Sequence, residues 1–193
     1  MRQKLIVLFC AALCLCGLAA CAGPERDLCR LFSEDGKYTG FENMPEYDTP
    51  EAALKDGCLV VASDADGKGA LYGGAELWTQ FLSDSGKGKD AFLRIITFID
   101  GTPHACDLLY TGGAYHDFDA EWTDLSDRPY QYLRKLTGTA GSPPKDTSWY
   151  VLTDSEDLTF DDAYLSFITD STETMNSIPE FCWLGFAIYL DQQ

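Results

Sequence analysis

The stretch Ala91-Phe92-Leu93-Arg94-Ile95-Ile96-Thr97-Phe98-Ile99, followed by Asp100-Gly101-Thr102-Pro103, decides the fold. It is apolar on both faces except at Arg94 and Thr97, which predicts a strand buried from both sides, inside a sheet. Asp100 to Pro103 then turns the chain, and His104 to Tyr110 reads as a returning strand. Gly112-Gly113 is a strong hairpin signal, and Ala114 to Trp122 reads as a third strand. Together the three predict an antiparallel meander.

Residue rows follow from the turns. Pairing Asp100 with Pro103 and Thr111 with Ala114 sets Leu109 opposite Arg94 and His116 opposite Leu109, with Asp107 diagonal to Arg94. Arg94, Asp107 and His116 would then share a face with Phe92, Ile96, Phe98, Phe118 and Trp122. This is the one candidate ligand or ion-pair cluster in an aromatic setting. It reads either as an anion site anchored on Arg94 or as a structural ion pair beside an ordinary histidine. A one-residue slip in either hairpin would dissolve it. The opposite side of the third strand carries Asp117, Asp119 and Glu121 at period two. That spacing suits a solvent-facing, charge-protected edge, or oxygen ligands for calcium. We expect neither a metal nor a cofactor.

Outward from the meander the signals alternate between helix and strand. Thr49-Pro50 reads as an N-cap and first helical residue, with Gly57 as the stop. Cys58 to Ala62 follows as a buried strand, and Ala70 to Tyr72 as another after a polar turn. Beyond Gly73-Gly74, Leu77, Trp78, Phe81 and Leu82 fall on one helical face. On the other side, Asp127 to Gly138 predicts a helix opened by Pro129, with Tyr132, Leu133 and Leu136 inward. Thr139 to Thr147 reads as a mobile Gly/Pro loop, and Trp149 to Leu152 as a strand. Leu158 to Thr169 suits a helix start or a strand. Phe181 to Leu190 predicts a closing strand. Residues 49–193 are thus expected to form one α+β domain, mainly antiparallel sheet with a few packed helices.

The chain opens MRQKLIVLFCAALCLCGLAACAG. Arg2 and Lys4 head an uncharged apolar run, Leu5 to Ala19, which is shorter than the ~20 residues a helical membrane span needs. Leu18-Ala19-Ala20-Cys21 then places small residues directly before a cysteine. This pattern resembles the leader of bacterial lipoproteins, and the resemblance implies that residues 1–20 are removed and Cys21 carries the lipid. Two other readings stand. Ala20-Cys21-Ala22 fits an ordinary A-x-A cleavage site releasing a secreted protein, and Cys21 could be incidental, like Cys10, Cys14 and Cys16. Residues 21–48, broken by Gly23, Pro24, Gly36, Gly40 and Pro45, read as a tether in which Leu28, Leu31 and Phe32 dock.

The 31 acidic against 14 basic side chains give a net charge of −17. Such a balance repels phosphate polymers, so nucleic acid is an unsuitable partner; it favours solubility, divalent cations loosely held at the surface, or a basic protein partner, and a small ligand is the other partner expected. Cys29, Cys58, Cys106 and Cys182 have no C-x-x-C spacing; free buried thiols and disulfides both remain open. No G-x-S-x-G elbow occurs, two histidines (His104 and His116) rule out H-E-x-x-H, and Phe81 stands where a P-loop before Gly86-Lys87 needs glycine.

Thr49 to Ala53, Val60-Val61, Leu77 to Leu82, Leu93 to Phe98, Asp100 to Pro103 and Asp107 to Gly113 resemble a Gram-positive lipoprotein family, domain of unknown function family 4362, over roughly residues 49–122. Gly73-Gly74 departs from it where a capping Asn is expected. The resemblance implies lipoprotein location and supplies no catalytic residue. The expectation is therefore a lipid-anchored extracytoplasmic monomer, a non-enzymatic binding module using its sheet face or the 139–147 loop. The alternative is a cell-envelope hydrolase using carboxylates or His116.

Overall fold

The computed structural model describes residues 28–63 and 68–192; Cys21, the leader and the side chain of Cys29 lie outside the described residues. The described residues form a single α+β domain with two sheets. The first has the order β2-β1-β3-β4-β5: β1 (Leu59–Ser63), β2 (Gly69–Gly73), β3 (Ala91–Ile99), β4 (Thr102–Thr111) and β5 (Ala114–Asp119). β3 lies in the middle, as its two-sided apolar pattern requires, parallel to β1 and antiparallel to β4. The second sheet is β6 (Tyr132–Ala140), β7 (Lys145–Thr153) and β8 (Phe181–Trp183), antiparallel throughout. Among the described residues no helix is long and apolar enough to cross a membrane.

Helix α1 (Pro50–Lys55) starts where Thr49 accepts the Ala52 amide, and the chain leaves it through Gly57 in the left-handed region. Helix α2 (Ala75–Ser85) buries Trp78 and Phe81 against Leu59, Leu93, Ile95 and Leu108. Each such side chain contributes about 1.5–3 kcal/mol of burial. Gly74, before α2, has φ of +87°, and a Cβ there would lie 2.8 Å from the Leu59 Cα. Glycine at this position is required both by conformation and by close approach, so an asparagine cap has no room.

Both meander turns are two-residue turns with positive φ at each central position, Asp100-Gly101 and Gly112-Gly113. The second matches the expected register, Leu109 opposite His116. The first is tighter than expected: Ile99 pairs with Thr102, so Arg94 faces Asp107 directly rather than Leu109. The partner moves by two residues, an even number, and the side chains stay on the same face.

Several expectations on the C-terminal side are corrected. Residues 132–140 form β6, not a helix, because Leu136 points inward while Lys135, Thr137 and Thr139 alternate outward. Gly138 is no helix stop; a Cβ there would come 2.1 Å from a carbon of the Phe160 ring, so it makes room for the helix below. The supposed 139–147 loop is mostly ladder, with Thr139 opposite Asp146 and Ala140 opposite Lys145. The ambiguous stretch becomes helix α3 (Phe160–Ile168), fixed by a reciprocal capping box between Thr159 and Asp162. A short α4 (Thr172–Ser177) follows. The closing strand is only β8; Leu184 follows it and Gly185–Gln192 continues as 3-10 turns, with Leu184 and Ala187 buried in the main core.

The first sheet is covered on both faces. On one, Val60, Ile96, Phe98 and Ala105 meet α1 and Tyr47, while Leu109 and Phe118 meet Tyr38. On the other, α2, the second sheet and the last turns close over Leu93, Ile95 and Leu108. The stretch read as a tether is packed from Leu28 onward, with Leu28, Tyr38 and Tyr47 buried.

Candidate functional site

Arg94 and Asp107 meet as opposed residues of β3 and β4, on the face covered by residues 28–48. Asp107 is completely buried. It accepts Arg94 Nε at 2.7 Å, Arg94 Nη2 at 2.5 Å and the Tyr38 hydroxyl at 2.6 Å. Arg94 Nη2 also donates to the Gly40 carbonyl at 2.8 Å, and its guanidinium lies over the Phe41 and Phe92 rings. Tyr38 stacks on Phe118 with ring centres 4.1 Å apart, and burial beside Asp107 pushes its phenol well above the ordinary range. Asp107 is thus fully enclosed by its donors, and only a small part of the Arg94 side chain, 14%, remains exposed. Tyr38 was missed in sequence because it sits in a polar stretch, although Phe32, Tyr38 and Phe41 supply an aromatic spacing that a free tether does not need.

His116 shares that face but does not join the pair. It is 6% exposed, and its Nδ1 lies 2.6 Å from Asp127 Oδ1 while Nε2 lies 3.3 Å from the Thr111 carbonyl. Its role is to hold the excursion that follows β5. That excursion leaves after Asp119, pairs Ser126 with Lys37, and returns to clamp Tyr130 on Tyr115 through two 2.8 Å backbone hydrogen bonds. Trp122, expected on the Arg94 face, lies on this excursion, about half exposed.

The other face of β5 departs from the expected solvent edge. Asp117 points between the sheets, where Cys106 Sγ donates to Oδ1 at 3.1 Å and Cys182 Sγ donates to Oδ2 at 3.2 Å. Period two tells which side Asp117 takes, and the second sheet covers that side. Asp119 instead accepts the Glu121 amide, and Glu121 lies 2.5 Å from His104 Nδ1. Cys58, Cys106 and Cys182 are free thiols. Desolvation, followed by the charge of Asp117, pushes Cys106 and Cys182 upward, so both stay protonated donors. Desolvation likewise raises Asp117, against the opposing pull of the two thiol hydrogen bonds. Among the described residues no group of three histidine, cysteine or acidic side chains is arranged to hold a metal ion.

Asp117 and Cys182 form part of the wall of a cavity of about 670 Å³, within the size range of small-ligand sites. The excursion supplies its other walls: Trp122, Tyr130, Asp124 and Asp127, with Phe181 from β8. Asp124 accepts the Ser126 amide at 3.0 Å and its hydroxyl at 2.6 Å, which hold its carboxyl below the usual range. Arg128, also in the wall, pairs with Glu180 and stands 5.8 Å over the Tyr130 ring.

A second, broader trough of about 1200 Å³ runs along the β6–β7 hairpin, near the segment expected to bind. Lys68, Lys135 and Lys145 line it with Thr137, Thr139 and Ser148, and Lys135 lies over Tyr150. No family model, curated protein or solved structure matches the chain.

Proposed function

We propose that the protein is a lipid-anchored extracytoplasmic binding module that takes its ligand in the cavity beside Asp117. What supports the anchor is the leader pattern ending at Cys21. What supports binding over hydrolysis is the state of the groups a hydrolase would use. Both ring nitrogens of His116 are engaged, and Asp117 is flanked by thiols whose protons are held tightly. The observation that carries the reading is a difference in access. Arg94 and Asp107 line neither cavity, whereas Asp117 lies in the wall of one built from aromatic and carboxylate side chains.

The test combines address and site. Mass spectrometry of the processed chain is expected to show a diacylglyceryl group on Cys21, lost in Cys21→Ser. A thermal-shift screen of small metabolites is expected to yield ligands whose effect disappears in Trp122→Ala. Ligands that stabilise both proteins equally would move the binding site elsewhere.

A further inference from the structure

We infer that the cavity walled by Trp122, Tyr130 and Phe181 and by the carboxylates Asp117, Asp124 and Asp127 takes a small organic ammonium ion. The inference rests on the binding-module reading and names the ligand class of the same site.

Three independent features converge on a cation. The first is shape and surface. The cavity holds about 670 Å³ and is walled by three aromatic rings, one of them the half-exposed Trp122. Aromatic faces attract ammonium groups and bind quaternary ammonium compounds when several rings surround them.

The second is charge. Asp124 is fixed at the rim as an ionised carboxylate by Ser126, and Asp127 is oriented by His116. Among the described residues Asp117 is met only by thiols, which are weak donors, so no strong partner there competes for it. A chain of net charge −17 also draws small cations toward such a site.

The third is already in place. Arg128, the one basic side chain among the described residues of this wall, lays its guanidinium over Tyr130, so the ring face is one that receives a positive group. Its partner Glu180 is exposed, and both side chains project mostly into solvent. An exposed ion pair of that kind holds Arg128 weakly, so an incoming ammonium, which cannot share the ring face with a second cation, can displace it from Tyr130.

The experiment titrates the full chain, in detergent, with tetramethylammonium and n-butylammonium chlorides, following tryptophan fluorescence and calorimetry. Sodium chloride and sodium acetate at matched ionic strength serve as controls. Saturable binding of either ammonium compound, weakened at least tenfold by Trp122→Ala and by Asp124→Asn, is the expected result. Both residues are on the exposed excursion, and unchanged unfolding midpoints would show the variants folded. A preference for tetramethylammonium assigns recognition to the rings, and one for n-butylammonium to hydrogen bonds with the carboxylates. Binding of acetate with the same sensitivity to Trp122→Ala would keep the binding module and overturn the ammonium assignment, and no saturable binding of either ammonium compound would overturn that assignment too. Ammonium binding that ignores both substitutions would overturn the site itself.

Discussion

Asp107 and Asp117 lie on neighbouring strands of one sheet and point to opposite faces, yet they have opposite fates. Asp107 meets a guanidinium and a phenol, three short hydrogen bonds from strong donors. Charge-assisted bonds of this kind keep a buried carboxylate in place as a structural anchor. Asp117 meets two thiols, which donate weakly and cannot offset its desolvation. The difference teaches that burial alone does not make a carboxylate structural. The strength of its donors decides whether it is locked or left free to exchange a proton on a cavity wall.

The most forceful way to break the comparison is to take the guanidinium from Asp107. Arg94→Met leaves a fully buried charge without its partner, and we expect a loss of about 3–5 kcal/mol in urea denaturation. The double variant Arg94→Met with Asp107→Leu should regain most of that loss, because no unpaired charge remains. If the two substitutions added independently, the pair would not be coupled. Tyr38→Phe, next in size, removes one hydrogen bond to the same charge and is expected to cost about 1.5–3 kcal/mol. It also tests whether residues 28–48 belong to the domain, since a tether would lose nothing.

Asp117→Asn should act in the opposite direction, and its effect should depend on pH. In the unfolded chain an aspartate gives up its proton near pH ~3.9. Folded Asp117, its carboxyl raised by desolvation, keeps the proton to higher pH. Above pH ~3.9 the folded state therefore binds the extra proton, and stability falls as pH rises toward the native value. Once Asp117 ionises in both states the penalty is complete and constant. Asparagine escapes it, so the variant's advantage should be absent at low pH, grow as pH rises, and level off once folded Asp117 has ionised. Denaturation midpoints of both proteins across that range provide the check; an advantage that shrinks with rising pH would reverse the account.

How much of this contrast was legible in sequence differs between the two faces. Thr49, Pro50 and Gly57 mark α1, and Gly112-Gly113 fixes a register, because caps and tight turns act over a few residues. The Arg94 face was legible for the same reason, and the tighter Asp100-Gly101 turn moved its partner without changing sides. Tyr38 and Gly138 were not legible as contacts. Each is defined by a partner far away in the chain, Asp107 for one and Phe160 for the other. Alternation likewise showed that Asp117 faces away from Asp107, but not that β8 would bring Cys182 across to cover it. The helix expected at 127–138 failed for a related reason. Tyr132, Leu133 and Leu136 fit a helical stripe, yet pairing with β7 gives each strand residue a ladder partner.

The smallest expected effect sharpens the comparison from the cavity side. Glu180→Gln removes the partner of Arg128, both side chains being more than half exposed. Exposed pairs contribute within about 1 kcal/mol, and salt screens them, so the change in stability should be slight and should fade near ~1 M salt. The consequence for the site is larger than the number. If the exposed ion pair holds Arg128 as weakly as expected, its release from Glu180 leaves the fold intact and Arg128 free to leave the Tyr130 ring. A loss as large as that of Tyr38→Phe would mean that this wall is locked like the surroundings of Asp107. The two faces of the sheet would then differ only in sequence, and the cavity would have no more freedom to accept a guest than the sealed pair has.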